Sequence, residues 1–308
     1  MKRLAPVACL FSLALGMSCS GITCSQNRHR AIRYMNMGVK KFTDGLHAPA
    51  LRDLKAAVRE DDTFAKAHYN LAMVYQQMKQ WDDAQRHLNR VITLEPNVAT
   101  YHYELGKCYQ YLNRIDMAKS SYEKALSLNP NLYVVHFRLG TVFMALDQPK
   151  EADSALRRAI EINPRFTKAF VSLSLLYLNY DYPELAMQVL QAGVAINDNS
   201  AEAHNMLGVS QQMLKQYDKA VDSFKKALVL ENDYYVAMFN LGMALAAADK
   251  RKEAEEILTR FTKAAVGKAD IDADYVREAN EKLAELSGVM EGPSGGAGQD
   301  ALPDRKPE

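Results

Sequence analysis

The sequence has no excess of either charge. Its 38 Lys and Arg meet 37 Asp and Glu, and no single-sign block interrupts the body of the chain. Without that electrostatic footprint, nucleic acid is not an expected partner. Cysteine is scarce: Cys9, Cys19, Cys24 and Cys108. Only Cys108 lies in the body of the chain, so no disulfide framework is available and the core must come from packing. Long hydrophobic runs are missing too. The strongest apolar stretch, Leu4–Met17, has 14 residues, short of the roughly 20 that a membrane-spanning helix needs. Catalytic signatures are absent as well: there is no HExxH, no GxxxxGKS/T and no GxSxG. Gly295, Gly296 and Gly298 sit in a terminal stretch with no preceding strand and read as linker. No enzyme, metal site or cofactor is expected.

The N-terminus has a character of its own. Lys2 and Arg3 precede the Leu4–Met17 run, and small and polar residues follow from Ser18 to Ser25. A basic start, a short apolar run and a small-residue exit describe an export signal over residues 1–18. Leu15-Gly16-Met17-Ser18-Cys19 resembles the lipobox of bacterial lipoproteins, which implies lipidation at Cys19 and attachment to a membrane of the cell envelope. Ordinary cleavage, giving a soluble exported form, remains the alternative. Residues 19–30 read as a flexible tether.

A period of 34 residues organises the rest. Segments begin at Ala31, Ala65, Ala99, Tyr133, Thr167, Ala201 and Tyr235. The eighth position is always small (Gly38, Ala72, Gly106, Gly140, Ser174, Gly208, Gly242) and the twentieth is always alanine, from Ala50 to Ala254. Large residues hold the twenty-fourth, among them Leu54, Tyr122 and Phe224. Within each segment, apolar residues recur three and four apart in two blocks, predicting two amphipathic helices packed closely through the small positions. Pro149 and Pro183 fall at the start of second helices, where a missing N–H costs nothing.

This pattern resembles the tetratricopeptide repeat. The resemblance implies an all-α, right-handed superhelical solenoid of seven helix-turn-helix repeats: residues 31–64, 65–98, 99–132, 133–166, 167–200, 201–234 and 235–268. A capping helix is expected within 269–290, with Tyr275, Ala279, Leu283 and Leu286 as its apolar stripe. Residues 291–308, rich in Gly, Pro and polar side chains, read as a disordered tail.

The resemblance also implies that first helices line a partner-binding groove. At the fifth position stand Tyr69, Tyr103, Phe137 and Phe239; at the ninth, Met73, Lys107 and Met243. Gln76, Gln110, Met144 and Gln212 occupy the twelfth, and Tyr111 the thirteenth. Aromatic and methionine side chains favour apolar anchors, and the glutamines are expected to bond a partner's backbone. Lys107 is the one charge among the fifth and ninth positions, which argues against a clamp for a terminal carboxylate. His68, His102, His136 and His204 share the fourth position but stand a whole repeat apart, so they are expected to pack rather than converge on a metal. The expected occupant is an extended or helical segment of a protein. The layout of signal, cysteine and repeats also resembles type IV pilus pilotins. A substrate-recruiting subunit of an envelope enzyme such as a glycosyltransferase, and a self-associating solenoid, are the other readings.

Overall fold

The computed structural model describes residues 12–268 and 271–288 and contains fifteen α-helices, with no strand among those residues. The chain divides into two compact units, residues 1–163 and 164–308.

In the first unit, helices pair as α1 (Ser12–Thr43) with α2 (His47–Glu60), α3 (Ala65–Gln77) with α4 (Trp81–Leu94), α5 (Ala99–Tyr111) with α6 (Ile115–Leu128), and α7 (Tyr133–Ala145) with α8 (Pro149–Ile162). The second unit continues with α9 (Thr167–Asn179) and α10 (Pro183–Ile196), α11 (Ala201–Met213) and α12 (Tyr217–Leu230), then α13 (Tyr235–Ala247) and α14 (Arg251–Ala265). A last helix, α15 (Ala273–Leu286), packs on α13 and α14. Second helices therefore start at residues 47, 81, 115, 149, 183, 217 and 251, the same 34-residue spacing as the sequence pattern. Pro149 and Pro183 open their helices, as their missing N–H allows.

The small positions explain the pairing. All seven alanines of the twentieth position are fully buried. A Cβ built on Gly106 would come within 2.5 Å of the Tyr122 ring, and one on Gly208 equally close to Phe224. Backbone and large side chain thus occupy space that a methyl group would need. In the second unit, Ala279 of α15 is fully buried in a cluster with Met238, Phe239, Leu258 and Phe261. Tyr275, Leu283 and Leu286 pack beside it.

Each pair turns from its first to its second helix through one residue with left-handed φ at the fifteenth position. That residue is Gly45 in the first pair; later pairs place Lys79, Asn113, Asp147, Asp181, Lys215 and Asp249 there, with φ between 54° and 60°. In the second pair Gln80 N–H donates to Tyr75 O and Lys79 N–H to Gln76 O, closing the helix end as a Schellman turn. A lysine in this conformation costs roughly 1 kcal/mol that glycine avoids. Lys79→Gly is therefore expected to raise stability by about 0.5–1 kcal/mol in denaturant titration. No change would mean the turn is not strained.

The fourth-position histidines do more than pack. His102 Nε2 donates to Pro96 O at 2.8 Å, His136 Nε2 to Pro130 O at 2.9 Å, and His204 Nε2 to Asp198 O at 3.2 Å. His68 Nε2 does the same to Asp62 O at 3.1 Å. Because a carbonyl only accepts, the proton sits on Nε2 in each case. Each ring thereby ties its helix to the loop that enters it, in place of the side-chain cap that most of these helices lack.

The N-terminal reading changes in part. Residues 19–30, expected as a flexible tether, belong to α1. Among residues 26–30 the reason is visible: Arg28 pairs with Asp61 and lies over the Phe64 ring at 4.6 Å, and Arg30 pairs with Glu60 at 2.8 Å. The side chain of Cys19, most of the signal segment and the 291–308 tail lie outside the described residues. No described helix is long and apolar enough to cross a membrane.

Candidate partner-binding groove

Three successive first helices of the first unit, α3, α5 and α7, carry Tyr69, Tyr103 and Phe137 at one register, and all three rings are half-buried. Met73, Lys107 and Thr141 follow four residues later, one turn along the same faces. Tyr69 lies 5.2 Å from the Tyr101 ring and packs, with Met73, against the core that contains Leu71, Leu88 and Leu105. Burial, then the charges of Glu104 and Tyr103, pushes the Tyr69 phenol up, so it stays neutral. Tyr103 lies 6.2 Å from Tyr122, the ring that fills the space beside Gly106. Met144 is half-buried one turn beyond Thr141.

The polar members have internal partners. Lys107 Nζ bonds Glu104 Oε2 at 2.7 Å and Gln76 Oε1 at 3.2 Å, and lies 5.5 Å over the Tyr103 ring. Gln76 Nε2 donates to Glu104 O at 3.2 Å and to Cys108 Sγ at 3.3 Å. Gln110 accepts from Tyr122 OH at 2.9 Å and donates to Thr141 Oγ1 at 3.2 Å. One expectation is corrected by this network. Gln76 is only 8% exposed, and neither it nor Gln110 is free to hold a partner's backbone. Lys107 remains the one charge among the fifth and ninth positions, and Glu104, at the sixth, balances it from one turn away on α5. Burial pushes the Cys108 thiol up to about 11, making it an inert core filler.

Tyr111 is set apart from these rings. It is 56% exposed and stacks on Trp81, with ring centroids 4.1 Å apart and planes within 7°. Trp81 and Tyr101, both absent from the sequence-based site, extend the aromatic surface of the first unit. Their signal was weak because they sit at helix starts, outside the groove register.

In the second unit the picture differs. Phe239, expected in the groove, is 6% exposed, with Tyr275 of α15 at 4.8 Å and Phe261 at 5.7 Å. It is a core residue, because α15 supplies the apolar cover that a following repeat would have given. Met243 packs at the margin of the same cluster. Gln212 is half-buried, while its neighbour Gln211 is buried and accepts from Ser223 Oγ at 2.7 Å. Asn240 Nδ2 donates to Asn205 Oδ1 at 3.0 Å, joining α13 to α11. No group of three or more His, Cys, Asp or Glu able to hold a metal occurs among the described residues.

A chain of paired helices with one repeating contact scheme is an all-α repeat protein, the fold of interaction scaffolds. Sequence profiles of the tetratricopeptide repeat match residues 63–131, 133–166 and 201–234. The chain belongs to the tetratricopeptide-repeat family. Among solved structures, a tetratricopeptide-repeat protein from Parabacteroides merdae is similar over 84% of this chain and 99% of its own, with TM-score 0.62 and 13% identity. Pseudomonas aeruginosa pilF is similar over 72% of this chain and 98% of its own, with TM-score 0.60 and 17% identity. PilW, described as a widely conserved type IV pilus biogenesis factor, gives TM-score 0.60 at 17% identity over 70% of this chain and 98% of its own. At these identities the likeness is one of fold. No curated protein matches the chain.

Proposed function

We propose that this protein is an exported scaffold that holds a segment of a protein partner against the aromatic row of its first unit. The observation that carries this reading is Tyr69, Tyr103 and Phe137 at one register of α3, α5 and α7, each half-buried. Tyr69 packs against the core, and half-buried rings at one register give large contact area at little entropic cost. Gln76, Gln110 and Lys107 have internal partners. With Lys107 5.5 Å over the Tyr103 ring and Arg138 5.9 Å over Phe137, the row offers aromatic anchorage with a cation beside two of its rings. The occupant is then an extended or helical segment with apolar side chains spaced to meet successive rings. The export signal and Cys19 lipidation read from residues 1–19 would place this scaffold in a bacterial envelope.

A second reading, help in assembling a type IV pilus component, draws on the N-terminal layout and on the pilus factor whose fold this chain shares.

The test is a photo-crosslinking residue at Tyr103 in the full chain, expressed in cells. One dominant captured protein is expected, and Phe137→Ala should weaken its binding to the purified chain at least tenfold, the usual loss for an apolar anchor. Undiminished binding to a folded Phe137→Ala variant would remove the groove. Capture of a pilus component would select the second reading.

A further inference from the structure

The near-neutral total hides a division of charge along the chain. Residues 26–60 carry eight Lys and Arg against three Asp and Glu, a net +5. Residues 61–308 carry 28 against 34, a net −6. The basic part is α2 together with the described side chains of α1, at the N-terminal end of the first unit.

Its charges are not balanced locally. Arg28, Arg30 and Lys41 pair with Asp61, Glu60 and Asp53. Arg33 and Lys40 on α1, and Arg52, Lys55 and Arg59 on α2, have no carboxylate partner among the described residues. The α2 trio is spaced three and four apart, so it forms one stripe on an exposed helix face. All three side chains line a cavity of about 410 Å³, together with His87 and the apolar Val58 and Leu71. Neighbouring cations on α4 are neutralised, Arg86 by Asp83 and Arg90 by Asp62. In the same helix pair and the turn that joins it, Ile32, Met37 and Leu46 are 36%, 41% and 51% exposed.

We propose that this first helix pair docks on an anionic lipid surface, with a headgroup phosphate seated among Arg52, Lys55 and Arg59. Long cationic side chains around an apolar floor match a phosphate above an acyl boundary, and interspersed exposed apolar residues suit an interface. An acidic protein segment would be expected to meet directional hydrogen-bond partners as well, and the stripe offers cations alone. The docking depends on neither Cys19 lipidation nor the aromatic row. It adds an orientation: the first helix pair of the first unit against the lipid.

The experiment is co-sedimentation of the full chain, carrying Cys19→Ser, with vesicles of phosphatidylcholine alone and with about 30% phosphatidylglycerol, at about 50 mM salt. The apolar N-terminal run adds binding to both compositions, and Lys2 and Arg3 ahead of it add a preference for the anionic one, so the triple variant, which leaves both in place, isolates the stripe. Each basic residue near an anionic surface contributes roughly fivefold. Arg52→Ala/Lys55→Ala/Arg59→Ala should therefore lower binding to the anionic vesicles by about a hundredfold, with an unchanged far-UV melt because all three are exposed. Equal binding to both compositions would overturn the proposal. So would a triple variant that binds as before, or a chain that ignores the anionic vesicles yet binds poly-glutamate through the same three residues, which would assign the stripe to an acidic protein.

Discussion

Lowering the pH from 7 towards 4 is expected to destabilise the first unit by about 2 kcal/mol through one pair of histidines. His68 Nδ1 and His87 Nδ1 are 3.0 Å apart, joining α3 to α4. His68 spends its Nε2 proton on Asp62 O, so its Nδ1 accepts and His87 donates. Protonating His68 would set two donors against each other, and protonating His87 would place a third cation beside Lys55 and Arg86. Burial, followed by the charges of His68, Arg86 and Lys55, lowers His87 to about 4; Asp62 opposes weakly. His68 is lowered as well, again chiefly by burial.

The sign follows from linkage. A histidine whose folded pKa lies below its unfolded value of about 6.5 binds fewer protons when folded. Its full contribution is present above about pH 6.5 and is lost as the pH falls towards 4. The full shift of His87 would exceed 3 kcal/mol, but its ring is partly in water and screening reduces this to about 2 kcal/mol. His87→Asn keeps a donor facing His68 Nδ1 and removes the titration. Urea titrations at pH 7 and pH 4.5 should show a midpoint drop in the parent that is at least halved in His87→Asn. An equal drop in both chains would locate acid sensitivity elsewhere.

That pair also shows where the sequence stopped being informative. The 34-residue period, the small eighth position and the twentieth alanine reflect contacts each pair makes with itself, and such contacts repeat in the sequence. His87 stands at the twenty-third position, where no other segment has histidine, so its partnership with His68 leaves no periodic trace. Glu104 was visible one turn from Lys107, but it occupies the sixth position, outside the positions assigned to the groove. Phe239 carries the same register as Tyr103; what separates them is α15, whose packing lies outside the period. The charge division was hidden by cancellation, since a net +5 over residues 26–60 disappears in a chain of 38 against 37. Position within a repeat was legible, and what covers or neutralises that position depended on neighbours that differ from repeat to repeat.

Gly106→Leu is expected to cost about 3 kcal/mol, and the reason can be tested by reversing the sign of a smaller change. Tyr122 is fully buried and its hydroxyl is held by Gln110. A Cβ on Gly106 would meet two carbons of that ring at 2.5 and 2.6 Å. The ring has no free space to retreat into, so overpacking rather than helix propensity decides the outcome. Alanine gains roughly 1 kcal/mol over glycine in a helix interior, which offsets part of the clash. Gly106→Ala should therefore destabilise by only about 1 kcal/mol. The chain itself shows which partner tolerates a methyl group here. Ala72 and Ser174 occupy the eighth position in segments whose twenty-fourth residue is Leu88 or Leu190, Gly38, Gly140 and Gly242 face Leu54, Leu156 and Leu258, and the two aromatic residues, Tyr122 and Phe224, both face glycine. In a Tyr122→Leu background, Gly106→Ala should become neutral or stabilising, a coupling of at least 1 kcal/mol in a double-mutant cycle. Additive effects in that cycle would mean the helix pair opens to admit the methyl group, and the size match between the eighth and twenty-fourth positions would not be what sets the helix spacing.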